Sequence, residues 1–337
     1  MNRVLPGSTR LPALFLALVL GLAALTGCKA SGATGGEETT IRYQSYAGAV
    51  DPLLLADALG KLDGLTLKRE GDVTGGPQSL QAVLSNQTDI SANAFYGAIA
   101  QLASTGAPIK AVIPSYGSND KSNQKVVVLD DSDIKSAQDL VGKKIAVNTL
   151  GANAEAVLDT WFEQEGVDPD DVTLVPLPPL NTPDALQKGQ VDAAVVGFLG
   201  YEQMKQQFGV RELTDDVKVV GGPYAGGGLA MRDDFIKDNP DTTRELVEGI
   251  AAAIDFIETH TKQQVFDVYF PYLKKEGFED YIPAIQTNFP GTTGLDAHPV
   301  IHDEDISRWT KWLQDRGDLD GDLDVSDVYT NEFNPNA

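Results

Sequence analysis

The chain has 337 residues, of which 42% are hydrophobic, and a formal net charge of −23 at pH 7. This length exceeds the size at which a single hydrophobic core keeps growing, so we expect two domains. A surface this acidic repels phosphate backbones and anionic lipid headgroups, which argues against nucleic acid as a partner. Cys28 is the only cysteine, and one thiol cannot form an internal disulfide or a CxxC redox pair.

The N-terminus has the pattern of an export signal. Arg3 and Arg10 precede an apolar run over residues 11–25, which is shorter than the roughly 20 residues that span a bilayer. The run ends in the sequence LTGC, which resembles the bacterial lipobox, in which the cysteine is lipidated before cleavage. We therefore predict a lipoprotein signal peptide over residues 1–27, with lipidation at Cys28. An uncleaved membrane anchor is the alternative.

Residues 28–40 are rich in Gly, Ser and Thr, which predicts a flexible tether between the lipid and a folded body. Strand and helix patterns then alternate. We predict strands over residues 40–45, 65–69, 88–91 and 109–113, and helices over residues 51–59, 77–85 and 95–104. Such alternation predicts an α/β fold with a mostly parallel sheet and helices on both of its faces.

The alternation restarts after a polar segment near residues 114–124. Further strands are predicted over residues 125–129, 144–147, 172–175, 193–196 and 217–220, and helices over residues 154–165, 183–188 and 201–207. A glycine-rich segment, residues 221–228, precedes a helical remainder with its clearest stretches over residues 240–260, 261–275 and 303–316.

The segments near residues 114–124 and 221–228 are the predicted crossovers between domains. Two crossovers imply that the chain leaves one domain, builds a second and returns. We predict lobe I over residues 41–118 plus 225–337, including the helical C-terminal segment, and lobe II over residues 119–224. The two lobes are expected to be joined by a two-stranded hinge, with a ligand site in the cleft between them.

Four stretches give the sequence a family resemblance. They are IRYQS at residues 41–45, QTDISANA at 87–94 with GAPIKAV at 106–112, IKSAQDLVGKKIAV at 134–147, and ALQKGQVDAA at 185–194. Together they resemble the solute-binding proteins for taurine, aliphatic sulfonates, nitrate and thiamine-pyrimidine precursors. The resemblance implies the type II periplasmic-binding-protein fold and delivery of a small molecule to an ABC permease.

Loops at the carboxyl ends of strands are the expected ligand positions in open α/β sheets. The candidates are Gln44, Ser45 and Tyr46 after the first strand, Gly75 and Gly76 before the second helix, Asn93, Ala94 and Phe95 before the third, and Thr149, Gly151, Ala152 and Asn153 before the first helix of lobe II. Helix N-termini present unpaired N–H groups and partial positive charge, which suits a small anion. Helix capping by the Ser, Thr and Asn side chains is the alternative.

Two aromatic residues complete the predicted site. The resemblance implies that Phe198 faces the cleft, although burial in the core is the alternative. Tyr224 lies in the return crossover and either closes over the ligand or packs the hinge. Arg42 is a candidate cation, but it lies within the first strand, so the sequence leaves open whether the ligand is a monoanion or an uncharged heterocycle.

No GxSxG, HExxH or P-loop pattern occurs, so we expect neither an enzyme nor a bound cofactor. His298 and His302 have an i, i+4 spacing, but Pro299 interrupts the helix that this spacing needs, so no metal site is predicted. We expect a monomeric, lipid-anchored binding protein on the outer face of the cytoplasmic membrane, serving an ABC importer and favouring an organic sulfonate or similar anion. A thiamine-precursor binding protein, a related enzyme of the same fold and a sensor without transport are the alternatives.

Overall fold

The computed structural model describes residues 36–46, 48–73, 75–319 and 321–337. The predicted signal peptide, Cys28 and most of the predicted tether lie outside the described residues. Glu37–Ala337 form one compact unit. None of the described helices is long and apolar enough to cross a membrane.

The first part of the fold alternates strands and helices as predicted. Its elements are β1 (Thr40–Ser45), α1 (Pro52–Ala58), β2 (Thr66–Asp72), α2 (Gly76–Leu84), β3 (Ala94–Phe95), α3 (Tyr96–Ser104) and β4 (Ile109–Ser118). β1 and β2 pair in parallel. The strand predicted over residues 88–91 is reduced to an isolated bridge between Ile90 and Met231.

The middle region, residues 119–223, contains a five-stranded sheet. Its elements are β5 (Lys125–Leu129), β6 (Lys144–Val147), α4 (Asn153–Glu165), β7 (Thr173–Pro176), α5 (Thr182–Gln187), β8 (Ala193–Val196), α6 (Phe198–Gln207), β9 (Val210–Asp215) and α7 (Asp216–Val220). The strand order is β7-β6-β8-β5-β9, with β6 parallel to β7 and β8, and β5 antiparallel to β8 and β9.

The chain then returns through a long strand into the C-terminal helices. These elements are β10 (Tyr224–Arg232), α8 (Asp233–Asp238), α9 (Pro240–Thr259), α10 (Lys262–Lys275), α11 (Ile282–Asn288), α12 (Asp303–Ser307) and α13 (Thr310–Asp315). β10 runs antiparallel to β3 on one side and to β4 on the other. The two predicted crossovers are therefore hydrogen-bonded to each other, with Tyr224 opposite Ser118.

Three sequence predictions are corrected by these elements. The sheets are not mostly parallel, because β10 runs antiparallel to both of its neighbours and β5 runs antiparallel to β8 and β9. Residues 217–220 form helix α7 instead of a strand, since the side chain of Asp215 caps it by accepting the N–H of Lys218 at 2.9 Å. Residues 37 and 38, predicted in the tether, are bound to the start of α9, where Glu37 accepts the N–H of Thr242 at 2.8 Å.

The glycine run near residues 226–228 lies within β10. A Cβ on Gly227 would come 2.1 Å from the carbonyl oxygen of Ala94, and one on Gly228 would come 2.2 Å from that of Ile113. Glycine is therefore required here because neighbouring backbones approach too closely for a side chain.

The C-terminal helices join the two parts of the fold. Trp309 and Trp312 pack edge-on against Phe95, at 4.9 and 5.9 Å between ring centroids. The indole N–H of Trp312 also donates to Asp159 of α4 at 2.9 Å, and Arg316 pairs with Glu155 on the same helix. One continuous hydrophobic cluster thus includes residues from α3, α4, α12 and α13.

Candidate functional site

Residues on both sides of the paired strands β4 and β10 line a cavity of about 210 Å³. Hydroxyl, amide, aromatic and small apolar residues line it: Tyr46, Ala49, Gly76, Asn93, Phe95, Tyr116, Gly117, Ser118, Ser122, Asn123, Gln124, Asn148, Ala152, Asn153, Ala154, Pro179, Thr182, Val195, Val196, Gly197 and Thr293. None of these described lining residues carries a formal charge. The described lining is therefore electrically neutral and combines apolar surface with hydroxyl and amide groups.

Four helices begin at this cavity. Gly76 is the first residue of α2, and Phe95, Ala152 and Gly197 are the N-caps of α3, α4 and α6. None of the four N-cap residues makes a side-chain capping hydrogen bond. Because the first-turn N–H groups of a helix lack intrahelical partners, these ends bring both donors and partial positive charge to the cavity.

The candidate cation Arg42 does not reach this site. Its guanidinium pairs with Asp89 at 2.6 Å and donates to the backbone oxygen of Asn86 at 2.7 Å. These contacts fix the guanidinium on the segment after α2, and Arg42 is absent from the cavity lining.

A buried carboxylate lies behind one wall of the cavity. Asp216 is 0% exposed, and its Oδ2 accepts hydrogen bonds from Ser118 Oγ at 2.6 Å and from Tyr224 Oη at 3.1 Å. Tyr224 in turn accepts a hydrogen bond from Asn153 Nδ2 at 2.9 Å. Burial raises the pKa of Asp216 to about 6, although the hydrogen bonds from Ser118 and Tyr224 oppose this shift. The network connects β4, β10, α4 and α7 next to the cavity.

This raised pKa predicts a pH-dependent stability. An aspartate with a pKa of about 6 in the folded state and about 4 when unfolded stabilises the fold most below pH 4, and this contribution is lost as the pH rises through 6. Two pKa units correspond to roughly 3 kcal/mol. We expect the difference in unfolding free energy between the natural chain and Asp216→Asn to change by about this amount between pH 4 and pH 7.5. Urea unfolding across that range measures it, and parallel pH profiles would contradict it.

A loop from the C-terminal half also reaches the cavity. Thr293 lines it, and the backbone oxygen of Thr293 accepts the N–H of Gly117 at 3.0 Å. Glu258 of α9 holds this loop, because its carboxylate accepts the hydroxyl of Thr292 at 2.7 Å and both the N–H and the hydroxyl of Thr293 at 2.6 and 2.7 Å.

Replacing this carboxylate should loosen one wall of the cavity. We expect Glu258→Ala to lower the free energy of unfolding by about 2 kcal/mol, because three charge-assisted hydrogen bonds are lost. Glu248→Ala, an exposed position on the same helix, is the matched control and should change stability by less than about 0.5 kcal/mol. Urea denaturation compares the two variants. Equal stability of both would show that the loop does not depend on Glu258.

Six of the predicted site residues line the cavity together: Tyr46, Gly76, Asn93, Phe95, Ala152 and Asn153. Seven others do not line it: Gln44, Ser45, Gly75, Ala94, Thr149, Gly151 and Tyr224. Ser45 accepts a hydrogen bond from Arg69 Nε at 3.2 Å, and Ala94 is buried against β10. Phe198 begins α6, and its side chain lies outside the described part of the structure.

Several lining residues were not predicted. Tyr116, Gly117 and Ser118 end β4, and Ser122, Asn123 and Gln124 follow them in the first crossover. The polar composition of that crossover was a usable signal, because hinge segments border the cleft. Asn148, Thr182 and Thr293 had no comparable signal, since their places depend on long-range packing.

The histidines are used for local structure. His298 pairs with Asp255 at 3.1 Å, and His302 is the N-cap of α12. Within the described ranges, no group of three or more His, Cys, Asp or Glu side chains is placed to hold a metal ion.

Solved structures with this fold include binding proteins for small anions. The alkanesulfonate-binding protein SsuA from Xanthomonas axonopodis pv. citri, bound to MOPS, is 18% identical with a TM-score of 0.67, over 88% of this chain and 99% of that chain. The periplasmic nitrate-binding protein NrtA from Synechocystis PCC 6803 is 13% identical with a TM-score of 0.69, over 89% and 88%. A cysteine-to-serine mutant of DSZB in complex with biphenyl-2-sulfinic acid is 18% identical with a TM-score of 0.60, over 89% and 98%.

These similarities define the fold class as the α/β fold of the periplasmic binding proteins, as the sequence predicted. The family model described as "NMT1/THI5 like" matches residues 63–264, which is more than half of the chain. The protein therefore belongs to the NMT1/THI5-like family. No curated protein sequence matches the chain.

Proposed function

We propose that this protein is the solute-binding protein of an ABC importer and that it captures a small ligand in the described cavity. The observation that carries the proposal is the meeting of four helix N-termini at one cavity. Donors from several elements that converge on one cavity are the usual arrangement of a small-molecule site.

The ligand that we favour is a small organic monoanion, with an organic sulfonate as the leading class. Helix N-termini and neutral hydroxyl and amide groups can hold a monoanion without a cationic side chain. Such a site also suits a chain with a net charge of −23, because local donors must compensate for an unfavourable overall field. The aromatic residues Tyr46, Phe95 and Tyr116 favour a second candidate, an aminopyrimidine of thiamine-precursor type.

Ligand capture is proposed to work by closure of the two predicted lobes about β4 and β10. The fold has tight contacts across the cleft, since a Cβ on Gly75 would come within 2.5 Å of the Thr149 methyl group. α11 and α6 also lie in contact, one on each side of the paired crossovers. A ligand that touches both lobes stabilises the closed form through its higher affinity for that form.

A binding role accounts for the chemistry of the cavity better than catalysis does. Its described lining contains serine and threonine hydroxyls but no histidine, lysine, cysteine or carboxylate that would activate a nucleophile. Asp216 is committed to Ser118 and Tyr224 behind the wall. These features support a binding role, and a monomer without a cofactor stays a prediction from the sequence.

The membrane attachment proposed here rests on the sequence. Lipidation of Cys28 would hold the body on the outer face of the cytoplasmic membrane, beside the permease subunits that receive the ligand. In a bacterial host, we expect Cys28→Ser to move the protein from the membrane fraction to the soluble fraction. Ser31→Ala is the control and should leave the membrane fraction unchanged. Equal fractionation of both variants would reject the lipid anchor.

A thermal unfolding screen tests the ligand class. A chain that starts at Lys29 retains the whole compact unit Glu37–Ala337 and is suited to this measurement. At 100 times its dissociation constant, a true ligand adds about 2.7 kcal/mol and should raise the midpoint by roughly 5–10 °C. The panel contains alkanesulfonates, nitrate, bicarbonate and aminopyrimidines. A shift with sulfonates supports the favoured class, and a shift with aminopyrimidines alone would replace it by the second candidate.

A further inference from the structure

Helix α13, near the C-terminus, contacts two of the helices that begin at the cavity. Its Trp312 packs against Phe95, the N-cap of α3, at 5.9 Å between ring centroids. The indole N–H of Trp312 donates to Asp159 of α4 at 2.9 Å. Phe95 lines the cavity from predicted lobe I, and α4 begins at the cavity in predicted lobe II. α13 therefore connects cavity-lining elements of the two predicted lobes.

The contact between α13 and α4 has an ion pair at each end. Lys311, in the first turn of α13, lies 3.7 Å from Glu163 in the last turn of α4. Arg316, the C-cap residue of α13, pairs with Glu155 in the first turn of α4 at 2.5 Å. The two helices therefore run antiparallel, and the Arg316 end is the one next to the cavity.

Glu155 uses its two carboxylate oxygens for different partners. Oε1 accepts from Arg316, and Oε2 accepts the backbone N–H of Gly151 at 2.6 Å. Gly151 belongs to the loop of residues 148–152 between β6 and α4, and the first and last residues of this loop line the cavity. Arg316 is thus linked to one wall of the cavity through a single side chain.

The link depends on the arginine because the carboxylate is buried. The side chains of Glu155 and of Asp159, one turn further along α4, are 9% and 12% exposed. Arg316 compensates both charges, since its Nη1 also lies 3.5 Å from Asp159 Oδ2. Without a cation, a buried carboxylate turns toward solvent or takes up a proton, because an unpaired buried charge is costly. Either change weakens its charge-assisted hydrogen bond to the N–H of Gly151.

We infer that Arg316 is a positioning residue for the ligand site. Through Glu155 it holds the loop of residues 148–152, and through α13 it ties this loop to Phe95 in the other predicted lobe. The inference rests on the proposed function, because it gives the C-terminal helix a part in ligand affinity. The order of the loop is measured without a ligand, so the failure of one proposal can be told from the failure of the other.

Hydrogen–deuterium exchange of the ligand-free chain from Lys29 tests the link. A peptide that covers residues 147–155 reports on the loop, and a peptide from α9 (Pro240–Thr259) reports on global opening. We expect Arg316→Gln to speed exchange of the loop peptide at least about fivefold and to leave the α9 peptide within about twofold. Lys311→Gln is the matched control, because it removes the same charge from the other end of the same helix pair. It should leave both peptides unchanged.

A double-mutant cycle shows whether Arg316 acts through Glu155. Glu155→Gln should also speed exchange of the loop peptide, because a neutral amide is a weaker acceptor for the N–H of Gly151. Adding Arg316→Gln to this variant should increase the exchange rate by less than about twofold, since the link is already broken. Glu155→Gln also keeps the test available if Arg316→Gln does not fold.

Ligand affinity provides the second measurement. A loop that occupies its binding-competent position for a smaller fraction of the time raises the apparent dissociation constant in proportion. Isothermal titration calorimetry with propane-1-sulfonate should therefore give at least about a fivefold higher dissociation constant for Arg316→Gln than for the natural chain. Lys311→Gln should stay within about twofold of the natural chain.

Each outcome decides between the two proposals. Unchanged loop exchange in Arg316→Gln, or equal acceleration of the loop and α9 peptides, would overturn this inference, because a merely structural role spreads the effect over the fold. Faster loop exchange with unchanged affinity would also overturn it. A natural chain that binds no alkanesulfonate would reject the favoured ligand class of the proposed function, and the exchange rates would still decide whether Arg316 holds the loop.

Discussion

Gly197→Leu should abolish ligand binding while leaving the fold intact. Gly197 lines the cavity at the start of α6, and its φ of −89° is accessible to any residue. A Cβ built there meets only Gln124 Cγ, at 3.8 Å, so a side chain can start at this position without a clash. Leucine then occupies part of a cavity of about 210 Å³ that the ligand needs. We expect affinity to fall at least about 100-fold, which corresponds to about 2.7 kcal/mol.

A smaller substitution at Gly197 provides the control. Gly197→Ala adds one methyl group and should weaken binding less than about tenfold, while the free energy of unfolding of both variants should stay within about 1 kcal/mol of the natural chain. Calorimetric titration and urea unfolding measure the two quantities. Natural affinity in the leucine variant would show that the ligand binds elsewhere.

The largest loss of stability is expected at Trp309. Its side chain is 2% exposed and packs against Phe95 at 4.9 Å and Tyr224 at 5.9 Å between ring centroids. Trp309→Ala should cost about 3–5 kcal/mol, because it removes a large aromatic side chain and leaves a cavity. Phe95 also lines the ligand cavity, so the same variant should weaken ligand binding.

Trp309→Phe is the matched control for this effect. The indole N–H of Trp309 has no hydrogen-bond partner among the described residues, so phenylalanine loses volume but no hydrogen bond. It should cost about 1–2 kcal/mol. Urea denaturation resolves the difference. A similar cost for alanine and phenylalanine would mean that the cluster around Trp309 relaxes freely and does not support the cavity.

The helices that were predicted correctly are those with a local sequence pattern. α9 begins at Pro240 and ends one residue before the predicted boundary, because an apolar face with helical spacing and proline in the first turn identifies it. α4 was predicted for the same reason, from the apolar face that includes Trp161 and Phe162. Strand direction was not predictable, since a short apolar run has the same pattern in parallel and antiparallel pairs.

Only some of the cavity residues could be predicted from local sequence patterns. Gly76, Ala152 and Asn153 were found because they lie at helix N-termini, which are recognisable in sequence. Thr293 was missed because its position depends on Glu258 and on the backbone of Gly117, which are distant in the chain. Asp216 was missed because residues 217–220 have the composition of a strand, whereas the cap at Asp215 makes them helical.

A crystal structure with the best ligand from the thermal unfolding screen is the most direct test of ligand capture at this cavity. We predict one ligand per chain in the described cavity, with its acidic group at the N-termini of α2, α4 and α6 and contacts on both sides of the paired β4 and β10. A ligand bound outside this cavity, or one whose acidic group is held by a lysine or arginine side chain, would contradict this mode of binding.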